Sequence, residues 1–218
     1  MNRRLLALWS LVFLFSTLLT AQTAKPGWTK YIINNGEVTL SLPNSMKVYK
    51  YKDDGFALSK NGDGSYSVSS KEHVLFVPVS DMTDYDKAEE VGINNMMLVK
   101  ISDKDDGLSK AIRMMKNSGL LRSIANLGLK SGIGMKRSGK DNFQVTKSGN
   151  LVLTKVAGKD ALTMDMSFKE KSGKEADSEI YMIESGKKGI LIVFANQKGL
   201  AGFTKQDNKE VLKSMRLK

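Results

Sequence analysis

His73 is the only histidine in the chain, and it stands beside Glu72 at the head of the apolar run 72–79. An imidazole can serve as a general base or as one arm of a metal site, but covalent catalysis needs a nucleophile within its reach. Neither a G-x-S-x-G elbow nor an H-E-x-x-H pair is present, so His73 reads as a strand-edge residue. Asn61 to Glu72 (NGDGSYSVSSKE) follows the spacing of a calcium loop, in which alternate oxygen-bearing side chains converge on one ion. Asn61 lacks the usual first charge, and Tyr66 stands where the turn needs glycine, so the stretch reads as a polar hairpin. The carboxylate pairs Asp103/Asp105 and Asp84/Asp86 have the residue types for glycan cleavage. Acidic runs of this kind more often cap helices or face water. The glycine-rich stretch from Gly128 to Gly139 lacks both the G-x-G-x-x-G spacing and the Lys-Ser pair of a phosphate loop. These patterns call for no catalytic residue, no cofactor and no metal ligand.

Charge is distributed more informatively. The formal net charge is +11. Residues 53–106 carry twelve acids against five lysines, and residues 107–140 carry eight bases and no acid. The bases are Lys110, Arg113, Lys116, Arg122, Lys130, Lys136, Arg137 and Lys140, interleaved with Leu108, Ala111, Ile112 and Met115 at helical spacing. Apolar helical faces with an all-cationic polar side are the composition of a segment that lies on an anionic membrane. The first seven of these bases are therefore the candidate anion- or membrane-binding set. The plainer alternative is a helical layer whose apolar face covers a sheet, with its cations in water or against the acids at 81–90.

The N-terminus bears on the partner. Asn2-Arg3-Arg4 precedes a nearly unbroken apolar run, Leu5 to Leu19, and then the small, polar exit Thr20-Ala21-Gln22. This is the order of a cleaved export signal. At about 15 residues the run is shorter than the roughly 20 that span a bilayer as a helix, although an uncleaved anchor is the rival reading. Export argues against nucleic acid as the partner, despite the basic balance. It leaves a protein or an anionic envelope component, with peripheral membrane contact as one form. Residues 22–218 have a natural length for one domain. The chain has no cysteine, so its core must hold the fold without disulfides.

The elements that must position these residues follow from periodicity. Trp28–Ile33 and Glu37–Leu42 alternate as strands around an Asn34-Asn35-Gly36 turn. Strands are expected over 46–51, 72–79 and 95–102, with an acidic helix or loop over 81–92. Ser102-Asp103 can cap a helix that Gly119 stops. A second short helix over 120–127 would turn Leu121, Ile124 and Leu127 inward, and a glycine-rich loop follows. Strands return at 144–146, 151–156, 161–169, 179–184 and 189–195, in an antiparallel meander with short turns. A helix over 205–215 closes an α+β domain.

This tail resembles a known family. Val156-Ala-Gly-Lys159-Asp-Ala161, Ser178 to Gly186, Gly189-Ile-Leu-Ile-Val-Phe194, Phe203 and Val211 to Leu217 occur in the order of the closing half of PsbP-like domains, the fold shared with the Ran-binding Mog protein. The early Val38-Thr-Leu-Ser-Leu-Pro43 is similar to that family's opening strand. The resemblance covers about 36–50 and 150–217 and leaves out the charged middle. It implies a central antiparallel sheet flanked by helices, an α/β/α sandwich, in largely non-catalytic binding or assembly-assisting proteins.

The expected function is thus an exported, non-catalytic binding or assembly-assisting domain of the cell envelope, periplasmic or secreted. The alternatives are a peripheral binder of anionic membrane or lipopolysaccharide through 108–140, and, further off, a carboxylate-based glycan hydrolase. N-terminal sequencing of protein from the native cell should find Gln22 first; a cytosolic product that keeps Met1 would remove the compartment and the partners inferred from it.

Overall fold

The computed structural model describes residues 25–49, 55–71, 73–78, 96–103, 106–131, 143–170, 173–198 and 203–218. The expected export segment 1–21, the acidic stretch 81–92 and most of the glycine-rich stretch lie outside the described residues. In chain order the elements begin with β1 (Trp28–Ile33), β2 (Val38–Pro43), β3 (Met46–Val48), β4 (Ala57–Lys60), β5 (Tyr66–Ser69), β6 (Val74–Pro78) and β7 (Met96–Ser102). Two helices follow, α1 (Gly107–Asn117) and α2 (Gly119–Ser131). The chain then forms β8 (Phe143–Ser148), β9 (Val152–Val156), β10 (Lys159–Glu170), β11 (Glu175–Ser185) and β12 (Lys188–Gln197), and ends with α3 (Lys205–Ser214) and β13 (Arg216–Leu217).

Two sheets share one core. The smaller has the order β13-β2-β1-β5-β4, and the larger β3-β6-β7-β12-β11-β10-β8, with β9 also paired to β10. Every pairing in the larger sheet is antiparallel. Between the sheets, Phe76, Met97, Val99, Ile190, Ile192 and Phe194 pack with Tyr31, Ile33, Leu40, Leu42 and Val68. Tyr31 meets Phe76 edge-on with ring centres 4.9 Å apart, and burial pushes its hydroxyl up to about 12.

Helix α3 lies on the same side of the larger sheet, contributing Val211 and Met215 to this core. A capping box of Thr204 and Asp207 starts it. Its buried Asn208 donates to Asn196 Oδ1 (2.9 Å) and Glu179 Oε2 (3.2 Å), and Asn196 donates to the Phe203 carbonyl (3.0 Å). The opposite face of the sheet carries α1 over Leu151, Leu162 and Met182. The fold is α+β, with helices on both faces of an antiparallel sheet.

Alternation located β1, β2, β6 and β7 to within two residues. It gave no bounds for the short strands β4, β5 and β13, although the polar hairpin read at 61–72 holds the β4–β5 turn; it placed β10 to within two residues and began β11 four residues late. Before Glu179, β11 stays in register with β10 through Lys169↔Glu175. The ladder needs only backbone partners, so it continues past the apolar pattern. Asn34, Asn35 and Gly36 do form the first turn, all at positive φ (46°, 56° and 84°).

The close seating of α1 depends on one glycine. A Cβ on Gly189 of β12 would lie 2.9 Å from Ser109 Cα and 3.1 Å from Ser109 Cβ. Gly189→Ala should therefore lift α1 and cost about 1–3 kcal/mol in urea unfolding. A loss below about 0.5 kcal/mol, the range of ordinary surface changes, would refute that seating.

Candidate binding surface

Helix α1 is held to the sheet at three levels. At its start, Asp106 is the N-cap and accepts from Leu108 N–H (3.3 Å). The expected Ser102-Asp103 cap is replaced because Ser102 stays in β7, where its carbonyl accepts from Ser109 Oγ (3.3 Å). At mid-height Ile112 is fully buried with Leu151, Leu162 and Met182. On the flank, Glu184 of β11 takes Arg113 Nε on one carboxylate oxygen (3.0 Å) and Lys116 Nζ on the other (2.7 Å). The Lys116 hydrogen bond, helped by Arg113, holds the Glu184 carboxyl below its ordinary value of 4.5 against the opposing effect of burial.

The join between the helices differs from the expected glycine stop. Ser118, in extended conformation, ends α1 by donating its N–H to the Met114 carbonyl (3.1 Å). Its hydroxyl accepts from Leu121 N–H (3.2 Å), which opens the next helix. Gly119 is thus the first residue of α2. Arg122 reaches back to the carbonyls of Met115 (2.8 Å) and Lys116 (2.7 Å), satisfying groups that the end of α1 leaves unpaired. Near the far end of α2, Asn126 Oδ1 accepts from Leu151 N–H (2.6 Å) and ties the helix to the sheet edge. Gly128, expected in a loop, lies within α2.

These ties leave the other side of α2 uncovered. Leu121, Ala125 and Leu129 are half-buried, whereas Leu120 is 71%, Ile124 54% and Leu127 70% exposed. Of the three residues expected to pack inward, only Leu121 does so. Met114 of α1 and Val152 and Leu153 of the edge strand β9 are also exposed.

The candidate cations divide accordingly. Arg113, Lys116 and Arg122 are engaged within the protein. Lys110 and Lys130 are exposed. Lys136 and Arg137 lie outside the described residues. Sequence reasoning missed Glu184, since nothing local marks it as the residue that a helix will cover; only the alternation Met182/Glu184 puts it on the α1 face.

The remaining candidates resolve into structure. Asn61 to Ser65 is the β4–β5 turn. There Asn61 donates to Ser65 Oγ (2.8 Å) and Ser67 Oγ (3.1 Å), and Asp63 accepts from the Ser65 amide (3.0 Å) and hydroxyl (2.6 Å). His73 is half-buried just before β6. Asp103, 84% exposed, pairs with Lys188 (2.6 Å). Glu72, Asp84, Asp86 and Asp105 lie outside the described residues. Among the described residues, no group of three or more acids and histidines is placed to hold a metal ion. No helix of these residues is long and apolar enough to cross a membrane.

No protein-family model matches the chain, and no curated protein matches it. Solved structures do. Over 91% of its length the chain is similar to cyanobacterial PsbP (CyanoP) from Synechocystis sp. PCC 6803, with 10% identity, 96% of that protein covered and a TM-score of 0.46. It is also similar to LpqN of Mycobacterium tuberculosis, described as involved in cell envelope biogenesis, with 11% identity, 87% and 90% coverage and a TM-score of 0.40. A protein from Bacteroides thetaiotaomicron VPI-5482 matches 88% of the chain at 11% identity and a TM-score of 0.49. The chain spans about half (49%) of that protein's length. At 10–11% identity and TM-scores below 0.5, none of these likenesses assigns a role to this chain.

The clamp on Glu184 has a pH signature. A carboxylate held low stabilises the folded state above its unfolded value, and that contribution is lost as pH falls through the lower, folded value. Glu184→Gln should cost about 1–2 kcal/mol at pH 7. Urea titrations of both proteins should converge as pH falls below 4.5. A difference that persists unchanged under strong acid would mean that the carboxylate charge is not what holds α1.

Proposed function

We propose that this chain is an exported, non-catalytic binding module of the cell envelope, with residues 22–218 as its one domain. Its binding surface is the outer side of the α1–α2 layer. One observation carries this reading: α2 commits one side to the protein and still turns Leu120, Ile124 and Leu127 to solvent. Single exposed aliphatic residues are ordinary, but an aligned group of them marks an interaction site. Export is supported by the order of residues 2–22, with arginines, an apolar run and a small-residue exit.

The glycan-hydrolase alternative gains nothing from the setting of Asp103. A carboxylate so exposed and paired with Lys188 is a solvated ion pair, whereas a general acid needs an environment that raises its pKa.

In the native cell the protein should fractionate with the envelope. The triple variant L120S/I124S/L127S should move by about tenfold or more into the soluble pool, since each buried leucine or isoleucine is worth about 1.5–3 kcal/mol, while its thermal midpoint stays within a few degrees of wild type. A wild-type protein recovered only from the soluble pool, or a triple variant that stays with the envelope, would overturn the assignment of this surface.

A further inference from the structure

We infer that the outer face of α2 docks on an anionic lipid surface, with Leu120, Ile124 and Leu127 entering the acyl boundary and Lys110 and Lys130 meeting the headgroups. The inference rests on the reading of this layer as the binding surface, and it names the partner.

Geometry comes first. At 100° per residue, Leu127, Leu120 and Ile124 fall within about 60° of arc on one side of α2. Leu121, Ala125 and Leu129 lie on a second arc whose centre is about 130° round the helix, toward the protein. A helix that is apolar on both sides is normally buried on both, so the outward group needs a second apolar phase. Thirteen residues make a helix about 20 Å long, too short to span a bilayer but suited to lying along its surface.

Charge selects the phase. No acid occurs from 107 to 140, and Glu184, the carboxylate that α1 covers, is already shared by Arg113 and Lys116. Lys110 and Lys130 are exposed, and Lys130 stands one turn beyond Leu127. Aliphatic residues flanked by lysines match acyl chains under anionic headgroups. They match a protein partner poorly, because protein interfaces favour aromatic and Arg anchors and are depleted in lysine. Two copies meeting through this face would bring lysines together with only Asp106, the N-cap of α1, near one of them to offset the charge.

The test uses protein purified from the native cell, co-sedimented with vesicles of pure phosphatidylcholine or of phosphatidylcholine with one-third phosphatidylglycerol. Partition should favour the anionic vesicles by about tenfold or more and weaken with salt. The variant I124S/L127S should lose about tenfold or more, and K110E/K130E about tenfold. The control K209E, on exposed α3 residue Lys209, should partition like wild type. Equal partition to both vesicle types, or partition indifferent to I124S/L127S, overturns the inference. Bare vesicles together with a sedimentation-velocity dimer that I124S/L127S dissociates would assign the face to a second copy instead. If vesicles stay bare while L120S/I124S/L127S still leaves the envelope fraction in cells, the lipid partner falls and the binding surface stands. If neither moves, both fall.

Discussion

The seating of α1 against β12 and β11 is the contact on which the helical layer depends. It joins a buried aliphatic residue, a close backbone approach and a shared carboxylate within one short helix. Ile112 fills the hollow among Leu151, Leu162 and Met182. The hydrogen atom of Gly189 lets Ser109 come close to the strand. Glu184 then pairs, one oxygen each, with the two cations that this approach brings down onto the sheet. Such half-buried, charge-assisted contacts are stronger than solvent-exposed ion pairs, because water screens them less.

Helix α2 inherits its position from α1. It makes its own N-terminal turn on Ser118, caps its neighbour through Arg122 and reaches the sheet edge through Asn126. These are polar ties at its ends and flank, with no fully buried apolar residue between them. A helix held this way can present an aliphatic face outward without losing its place. The basic segment therefore has two jobs: three of its cations are internal fasteners, and Lys110 and Lys130 remain at the surface.

The other side of the molecule is built on different physics. Between the two sheets the side chains are large, apolar and closely layered, with aromatic rings meeting at their edges. Asn208 and Asn196 form an interior polar link there, joining α3 to β12 and passing on to the Phe203 carbonyl, and Asn208 Oδ1 is left without a partner. An unpaired buried carbonyl oxygen carries a cost of about 1–3 kcal/mol. The surrounding core is large enough to absorb it.

The amino-acid sequence by itself determined the α+β class, most strands, the first turn, the closing helix and the concentration of cations in the middle of the chain. Those features are local: period-two alternation, turn residues and capping residues act over a few positions, and they can be read in order. The fate of the cations, the inward choice of Leu121 over Ile124 and Leu127, the role of Glu184 and the early start of β11 were decided only in the tertiary structure. Each depends on which surface arrives from a distant part of the chain. A helical wheel with apolar residues on two sides cannot say which side meets the sheet, and a glutamate on a strand becomes an anchor only when a helix more than sixty residues away settles over it.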